Sequence, residues 1–366
     1  MRGVIDGNAT GFAEEGAGVL DPAMCASLTR RARFALDRNL VLLDQRRDDG
    51  LVRQCHGDLH LRNIVLMNGR PTLFDAIEFS DDISSVDVLY DLAFLLMDLW
   101  RLNLPHHANL LWNDYLVDSD DLGGLPLMPL FLSCRAAVRA KTTATTARLE
   151  VDADRRLELQ SRAGEYLTMA TELLDPAPPR LIAIGGISGA GKSTLAMALA
   201  PLMGSPPGAV VIRSDVIRKK LCGVTPLTRL GPEGYTDAVN RRVYAVVTEQ
   251  ADKVVRAGHT AIADAVFAKA ADRDAIEHVA CAAGVPFVGL WLEAPVAELL
   301  SRIEGRTGDV SDAGIEVIWQ QLAHRLESLH WHRLDASGAR QNVCDRARDV
   351  VENVNAAEAH PTPNGA

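Results

Sequence analysis

"RLIAIGGISGAGKSTLAMALA", residues 180–200, passes from an apolar run through a glycine-rich turn into a segment with helical apolar spacing. Within it Gly186, Gly191, Lys192 and Ser193 stand at G-x-x-x-x-G-K-[ST] spacing. The order strand, loop, helix is what that pattern needs. Glycines let backbone N–H groups turn inward on a phosphate, and the helix N-terminus beyond them favours negative charge. A cradle of Gly186, Ser188, Gly189, Ala190, Gly191, Lys192, Ser193 and Thr194 is expected around nucleotide phosphates, with Lys192 on the terminal phosphates and Ser193 on Mg²⁺.

Outward from the cradle, apolar runs alternate with helical patterns. "RLIAIGGI" (180–187), "GAVVIRSD" (208–215), "HTAIADAVF" (259–267), "VPFVGLWLEA" (285–294) and "WHRLDAS" (331–337) predict five buried strands. That rhythm gives an α/β domain with a five-stranded parallel sheet and helices on both faces. Ligands bind beyond the carboxyl ends of such strands. "RSDVIRKKL" places Asp215 and Arg218 there, Asp215 as a base toward a hydroxyl or, more simply, as a helix cap. Asp264 ends the third strand, as a holder of Mg²⁺ or its water or as a plain turn residue. "ELLSRIEGRTGDVSDAG" carries Arg302 and Arg306 four apart, either as lid arginines neutralising a transferring phosphoryl group or as a solvated basic stripe.

With the cradle, "SDVIR" and the arginine-bearing helix in this order, residues 180–350 resemble the P-loop small-molecule kinases, the group that includes gluconate kinase, chloramphenicol phosphotransferase and the zeta-toxin kinases. The resemblance implies an ATP- and Mg²⁺-dependent kinase of the P-loop NTPase fold, with Asp215 as base and a small hydroxyl-bearing acceptor that it does not name.

A second motif lies in "QCHGDLHLRNIVL" (54–66), followed by "NIVLMNGRPTLFDAIEF" (63–79), whose Asn68-Gly69 pair predicts a hairpin. His56, Gly57, Asp58 and Asn63 with the later Asp75 resemble the H-G-D-x-x-x-x-N catalytic loop of the aminoglycoside phosphotransferase and choline-kinase-like family. In that family's roles Asp58 is the base, and Asn63 and Asp75 hold Mg²⁺. The first lysine in the chain is Lys141, so no lysine precedes the loop to pair with phosphates. A mostly helical kinase-like C-lobe without its N-lobe, inactive as given, is therefore expected. His56 and His60, four apart, are weak metal candidates without the H-E-x-x-H glutamate. Both halves in this order resemble the bacterial proteins described as bifunctional aminoglycoside phosphotransferase/ATP-binding proteins.

The expected organisation is an irregular leader over 1–22, the kinase-like lobe over 23–175 opening with one long helix from Asp21, a proline-rich linker over 176–180, the cradle domain over 181–352, and a disordered tail over 353–366. A net charge of −10 argues against a nucleic-acid grip. Six scattered cysteines without a C-x-x-C pair fit reduced thiols and a cytoplasmic address. "VLYDLAFLLMDLW" (88–100) is too short to span a bilayer and carries Asp91 and Asp98, so no membrane partner is expected. Phosphoryl transfer by the second half is the first functional expectation. The alternatives are a phosphotransferase in the first half completed by a lobe from a longer chain, and a nucleotide-gated binding module.

Overall fold

The computed structural model describes residues 1–304, 310–312, 314–323 and 328–359. The chain divides into two compact units, one of Met1–Trp112, Gly123–Ala177 and Ser205–Pro207, and another of Asn113–Leu122, Pro178–Gly204 and Gly208–Ala366.

Along the first half run α1 (Arg2–Glu14), α2 (Pro22–Arg38), α3 (Leu40–Asp48), β1 (Val52–Gln54), β2 (Ile64–Met67), β3 (Arg70–Leu73), α4 (Asp81–Ser84), β4 (Ser85–Asp87), α5 (Val88–Arg101), α6 (Pro105–Ser119), α7 (Met128–Leu149) and α8 (Ala153–Glu172). The first unit is built around α7, which packs against α1, α2, α5 and α8. Ala137, Ala140, Ala144 and Ala147 recur at helical spacing along α7 and are all buried, so neighbouring helices approach its backbone closely.

The leader over 1–22 is not irregular: α1 occupies most of it. Its glycines oppose a helix by propensity, but Ile5, Asn8, Gly11 and Phe12 form one buried face. A Cβ at Gly11 would lie 2.1 Å from Cδ of Lys141, so a larger residue there would need that flexible side chain to shift. The long helix predicted from Asp21 is two helices. Asp21 caps α2 by accepting from the Met24 amide at 2.6 Å, and Pro22 follows as its first residue. Asn39 then leaves helical geometry and turns its Nδ2 back on the Ala35 carbonyl at 2.8 Å, separating α2 from α3. The hairpin forms as expected, β2 and β3 pairing antiparallel around Asn68 and Gly69, both at positive φ. A second antiparallel pair, β1 with β4, has no counterpart among the expected elements, because strands of three residues carry too little pattern to read.

The buried guanidinium of Arg46 meets Asp87 in two bonds, Nε to Oδ2 at 2.7 Å and Nη2 to Oδ1 at 2.8 Å. Asp87 also caps α5 through the Leu89 amide.

The second half contains β5 (Leu181–Gly185), α9 (Lys192–Leu199), β6 (Val210–Arg213), α10 (Ser214–Leu221), α11 (Asp237–Arg256), β7 (Ala261–Asp264), α12 (Ala270–Ala283), β8 (Phe287–Glu293), α13 (Val296–Glu304), α14 (Ile315–Ala323), β9 (His332–Asp335) and α15 (Arg340–Ala359). The α/β class and the five-stranded parallel sheet are as the alternating pattern predicts, in the order β6-β7-β5-β8-β9. Every residue of β5 is buried, as befits a central strand with cover on both faces. The chain leaves β5 toward β6 and β7 on one side and later builds β8 and β9 on the other, so the loop after β5 sits at the switch point of the sheet. The tail is shorter than expected: α15 continues through Ala359, with Val343, Cys344, Ala347 and Val351 buried in the core of this unit, and residues 360–366 lie outside the described residues. No helix among the described residues is long and apolar enough to cross a membrane.

Breaking one side of a buried, hydrogen-bonded ion pair strands the other charge. Asp87→Ala should therefore lower the unfolding free energy of its unit by about 3–5 kcal/mol. Urea titration followed by far-UV circular dichroism measures this, and a loss under about 1 kcal/mol would show that Arg46 finds other partners.

Candidate active site

The loop between β5 and α9 is shaped by glycines at positive φ. At Gly189 (φ 86°) a Cβ would stand 2.9 Å from the Leu299 carbonyl, so only glycine lets the loop lie this close to α13. Gly191 (φ 93°) is the left-handed residue from which α9 starts. Lys192, the first residue of α9, folds its ammonium back onto the Ile187 carbonyl at 3.2 Å.

Parallel pairing sets Ile184 of β5 opposite Asp264 of β7, which brings the Asp264 carboxylate to the edge of the cradle. Ser193 Oγ donates to Asp264 Oδ2 at 2.6 Å, and Arg213 Nε lies 3.6 Å from the same oxygen. Burial raises the Asp264 pKa, against the opposing pull of Lys192, Arg213 and the Ser193 bond. A hydroxyl and a carboxylate oxygen side by side form a hard-oxygen donor pair of the kind a divalent cation such as Mg²⁺ takes. Among the described residues no group of three or more His, Cys, Asp or Glu side chains gathers as a metal cage.

The cradle opens into a cleft of about 1970 Å³, lined among others by Lys192, Ser193, Asp215, Arg218, Asp264 and Arg302. Six of the seven proposed catalytic and metal residues therefore meet the same space as the phosphate loop. Asp215 lies in the first turn of α10, but Arg213 is the capping residue of that helix, so Asp215 is not held as its cap. Arg218 is buried, donates from Nη1 to the Gly234 carbonyl at 2.8 Å, and stacks on the Tyr235 ring at 4.7 Å from the centroid. Arg302 is no loose lid cation: it bonds Glu298 at 2.6 Å and the Ala336 carbonyl at 2.7 Å, and reaches the Ala190 carbonyl of the cradle at 3.4 Å. Arg306 lies outside the described residues. Gly186, Ala190 and Thr194 fall in the same loop and helix start, and the Ser188 amide donates to Gln321 Oε1 of α14 at 2.8 Å.

Sequence reasoning passed over a buried latch beside this cleft. Asp312 Oδ2 accepts from Lys219 Nζ at 2.5 Å, the Leu230 amide at 3.0 Å and the Tyr235 hydroxyl at 3.0 Å, and Lys219 also bonds the Thr228 carbonyl. Nothing in the local pattern distinguishes Asp312 from the other acids of "GDVSDAG"; its partners lie 77 to 93 residues away.

In the first unit, the loop of residues 55–63 is held from below. Asp91 accepts from the His56 and Gly57 amides at 3.0 and 2.9 Å, and Asp98 accepts from the Leu61 amide at 3.1 Å. Arg135 pairs with Asp91 and donates to the Gly57 carbonyl at 3.2 Å. Asn63 Nδ2 meets both the carbonyl and the carboxylate of Asp58, at 2.9 and 3.3 Å. Asp75 sits at positive φ and has no side-chain bond to Asp58 or Asn63. The two histidines serve separate hydrogen bonds: His56 Nε2 contacts the Phe74 carbonyl at 2.9 Å, whereas His60 Nδ1 accepts from the Arg62 amide and its Nε2 lies 3.3 Å from Asp58. Burial lowers the His60 pKa, in keeping with a neutral ring that accepts at Nδ1.

Residues 181–329 match the family model described as an AAA domain. Over 139 residues the chain is 31% identical to adenylyl-sulfate kinase of Myxococcus xanthus, a match covering 38% of this chain and 68% of that one. The chain belongs, through its C-terminal segment, to the P-loop kinases. Over 342 residues, 90% of its length, it is 30% identical to an uncharacterized protein of Mycobacterium tuberculosis, and it spans 66% of that relative's length. Among solved structures a gluconokinase from Sinorhizobium meliloti aligns with 50% of this chain and 98% of its own at 20% identity and a TM-score of 0.38.

The Asp312 latch has a pH signature. Burial alone would raise its pKa, but the bonds from Lys219, Leu230 and Tyr235 bring it below the ordinary carboxylate value. A carboxyl that is a stronger acid in the fold than in the unfolded chain contributes stability above about pH 3.9 and loses it as pH falls through the folded value. Hydrogen exchange at the Leu230 amide should accelerate about tenfold or more in Asp312→Asn at neutral pH. Unchanged exchange would show that the charge is not what holds the segment.

Proposed function

We propose that the C-terminal unit catalyses ATP- and Mg²⁺-dependent phosphoryl transfer to a hydroxyl of a small molecule. The observation that carries this is the Ser193–Asp264 contact of 2.6 Å, set beside Lys192 in a cleft that Asp215 also lines. A nucleotide-binding loop alone needs no second carboxylate; a transferase needs one acid for the metal and another for the acceptor proton.

In this mechanism the cradle amides and Lys192 orient the phosphates, and Ser193 and Asp264 are the side chains that would hold Mg²⁺. Bound Mg²⁺ supplies neutralisation of charge on the phosphate oxygens. Asp215 accepts the acceptor's hydroxyl proton as the new O–P bond forms and the bond to ADP breaks. Arg302, tied to the cradle at Ala190 and to the end of β9 at Ala336, is a positioning residue for the loop. This reading assigns no step to the 54–75 loop, where the Asp58 carboxylate lies 3.3 Å from both Asn63 Nδ2 and His60 Nε2.

The test is a mass-spectrometric screen of the full chain with ATP and Mg²⁺ against pooled sugars, sugar acids, aminosugars and antibiotics. Lys192→Ala should lower turnover by about 10²–10³ and Asp215→Asn by about 10²–10⁴ with nucleotide binding retained. Asp58→Ala should leave turnover within about twofold, a change of about 0.4 kcal/mol or less. ADP release with no phosphorylated acceptor would favour a nucleotide-driven switch, and equal loss from Lys192→Ala and Asp58→Ala would return the chemistry to the first unit.

A further inference from the structure

The phosphate loop touches a helix far from it in the chain. Helix α14 enters the core of its unit through Ile318, fully buried in the cluster that also holds Ile184, Leu195 and Leu299. Those residues belong to β5, α9 and α13, so one side chain sets α14 against the elements that carry and cover the loop. Gln321 stands three residues further along and shares that face of the helix. Its Oε1 accepts from the buried Ser188 amide at 2.8 Å.

That bond fixes which end of the side-chain amide faces where. A backbone N–H only donates, so the atom that meets it is the oxygen, and the NH₂ group points away from Ser188. Gln321 lines the same cleft as Lys192, Ser193 and Asp264, and among the described residues its Nε2 has no acceptor. The Ser188 amide that this corner of the loop would offer to a phosphate is taken by Gln321, which presents two N–H donors in its place. A side chain already ordered at one end loses little rotamer freedom when a ligand meets the other. The neighbouring contact tells which phosphate is in reach. Lys192 Nζ rests at 3.2 Å on the carbonyl of Ile187, the residue just before Ser188. A lysine at this place in the loop serves the outer phosphates, whereas the amides at the helix start serve the inner ones. Gln321 is therefore tied to the corner of the loop where the Lys192 ammonium lies. Support of the loop alone would need only the carbonyl end.

We infer that Gln321 is a further catalytic residue: with Oε1 anchored on Ser188, its Nε2 donates to an oxygen of the phosphoryl group that is transferred. The inference rests on the phosphoryl-transfer reading and adds to it a neutral donor beside Lys192. A donor held in place before the reaction gains most where charge develops, which here is on the oxygens of the moving group. Gln321 itself moves no proton and forms no covalent bond. The hydroxyl proton goes to Asp215, the γ-phosphoryl passes from ATP to the acceptor oxygen, and ADP leaves.

Two substitutions separate contact with phosphate from support of the loop, and both put good helix formers into α14. Gln321→Glu keeps an oxygen for the Ser188 amide but turns a second carboxylate oxygen, in place of NH₂, toward the phosphates. Gln321→Met removes acceptor and donor together at similar side-chain length. The readout is calorimetric binding of the β,γ-imido analogue of ATP, and of ADP, to the full chain with Mg²⁺. The analogue should bind about tenfold more weakly to Gln321→Met, which loses one donor to a charged group. It should bind about a hundredfold or more weakly to Gln321→Glu, which sets a like charge against the phosphate. ADP lacks the transferred group and should bind Gln321→Met within about twofold of wild type. Wild-type binding by Gln321→Glu with impaired binding by Gln321→Met would make Gln321 a prop for the loop and overturn the inference. So would equal losses for ADP and the analogue, or analogue binding within about twofold of wild type in both variants. Turnover of an acceptor at one rate by wild type and both variants overturns the inference and leaves the kinase standing. The expected order of binding with no phosphorylated acceptor supports the phosphate contact while counting against transfer.

Discussion

A serine hydroxyl lies 2.6 Å from a carboxylate that the fold has buried, and the site of the second unit is organised by that contact. It joins the start of α9 to the end of β7, two elements that meet only because β5 and β7 are parallel neighbours in a fixed register. A slip of one residue would turn Asp264 to the other face of the sheet. Keeping a carboxylate out of water requires cations close by, and Lys192 and Arg213 are both there. The phosphate cradle, the strand order and the cation placement are thus one constraint seen from three sides.

The first unit solves a different problem. It must hold an irregular loop whose backbone amides have no strand to pair with. The solution is a helix, α5, that is apolar on most of its surface yet carries two acids beneath the loop. Asp91 takes two amides and Asp98 a third, and Arg135 balances Asp91 from α7. The apolar remainder of α5 sits in the core, so the polar network is surrounded by packed side chains and its bonds are strong for the same reason that an unpaired member would be costly.

The strands of the sheet were legible because each is a short apolar run next to a helical pattern, and the cradle because its glycines, lysine and serine are adjacent in the chain. Other features depend on residues far apart. The same Asp91 and Asp98 that argue against a membrane span prove to be the supports of loop amides 34 to 37 residues earlier, a role no local pattern announces. Likewise α1 is weak by composition and exists because Ile5 and Phe12 find a core and Gly11 makes room for Lys141. The break at Asn39 turns on one side-chain amide competing for a backbone carbonyl, which periodicity cannot register. Asp312 became visible only when chain closure brought Lys219 and Tyr235 to it.

Because the 55–63 loop takes its shape from α5 and α7, its architecture and its chemistry are separable. Asp91 and Arg135 set where the backbone goes, whereas Asp58 hangs from it as a half-exposed side chain. A scaffold of this kind is indifferent to whether anything is bound above it. Genetic variation at the two sets of positions would therefore leave different marks, one in protein abundance and the other only in whatever the loop recognises.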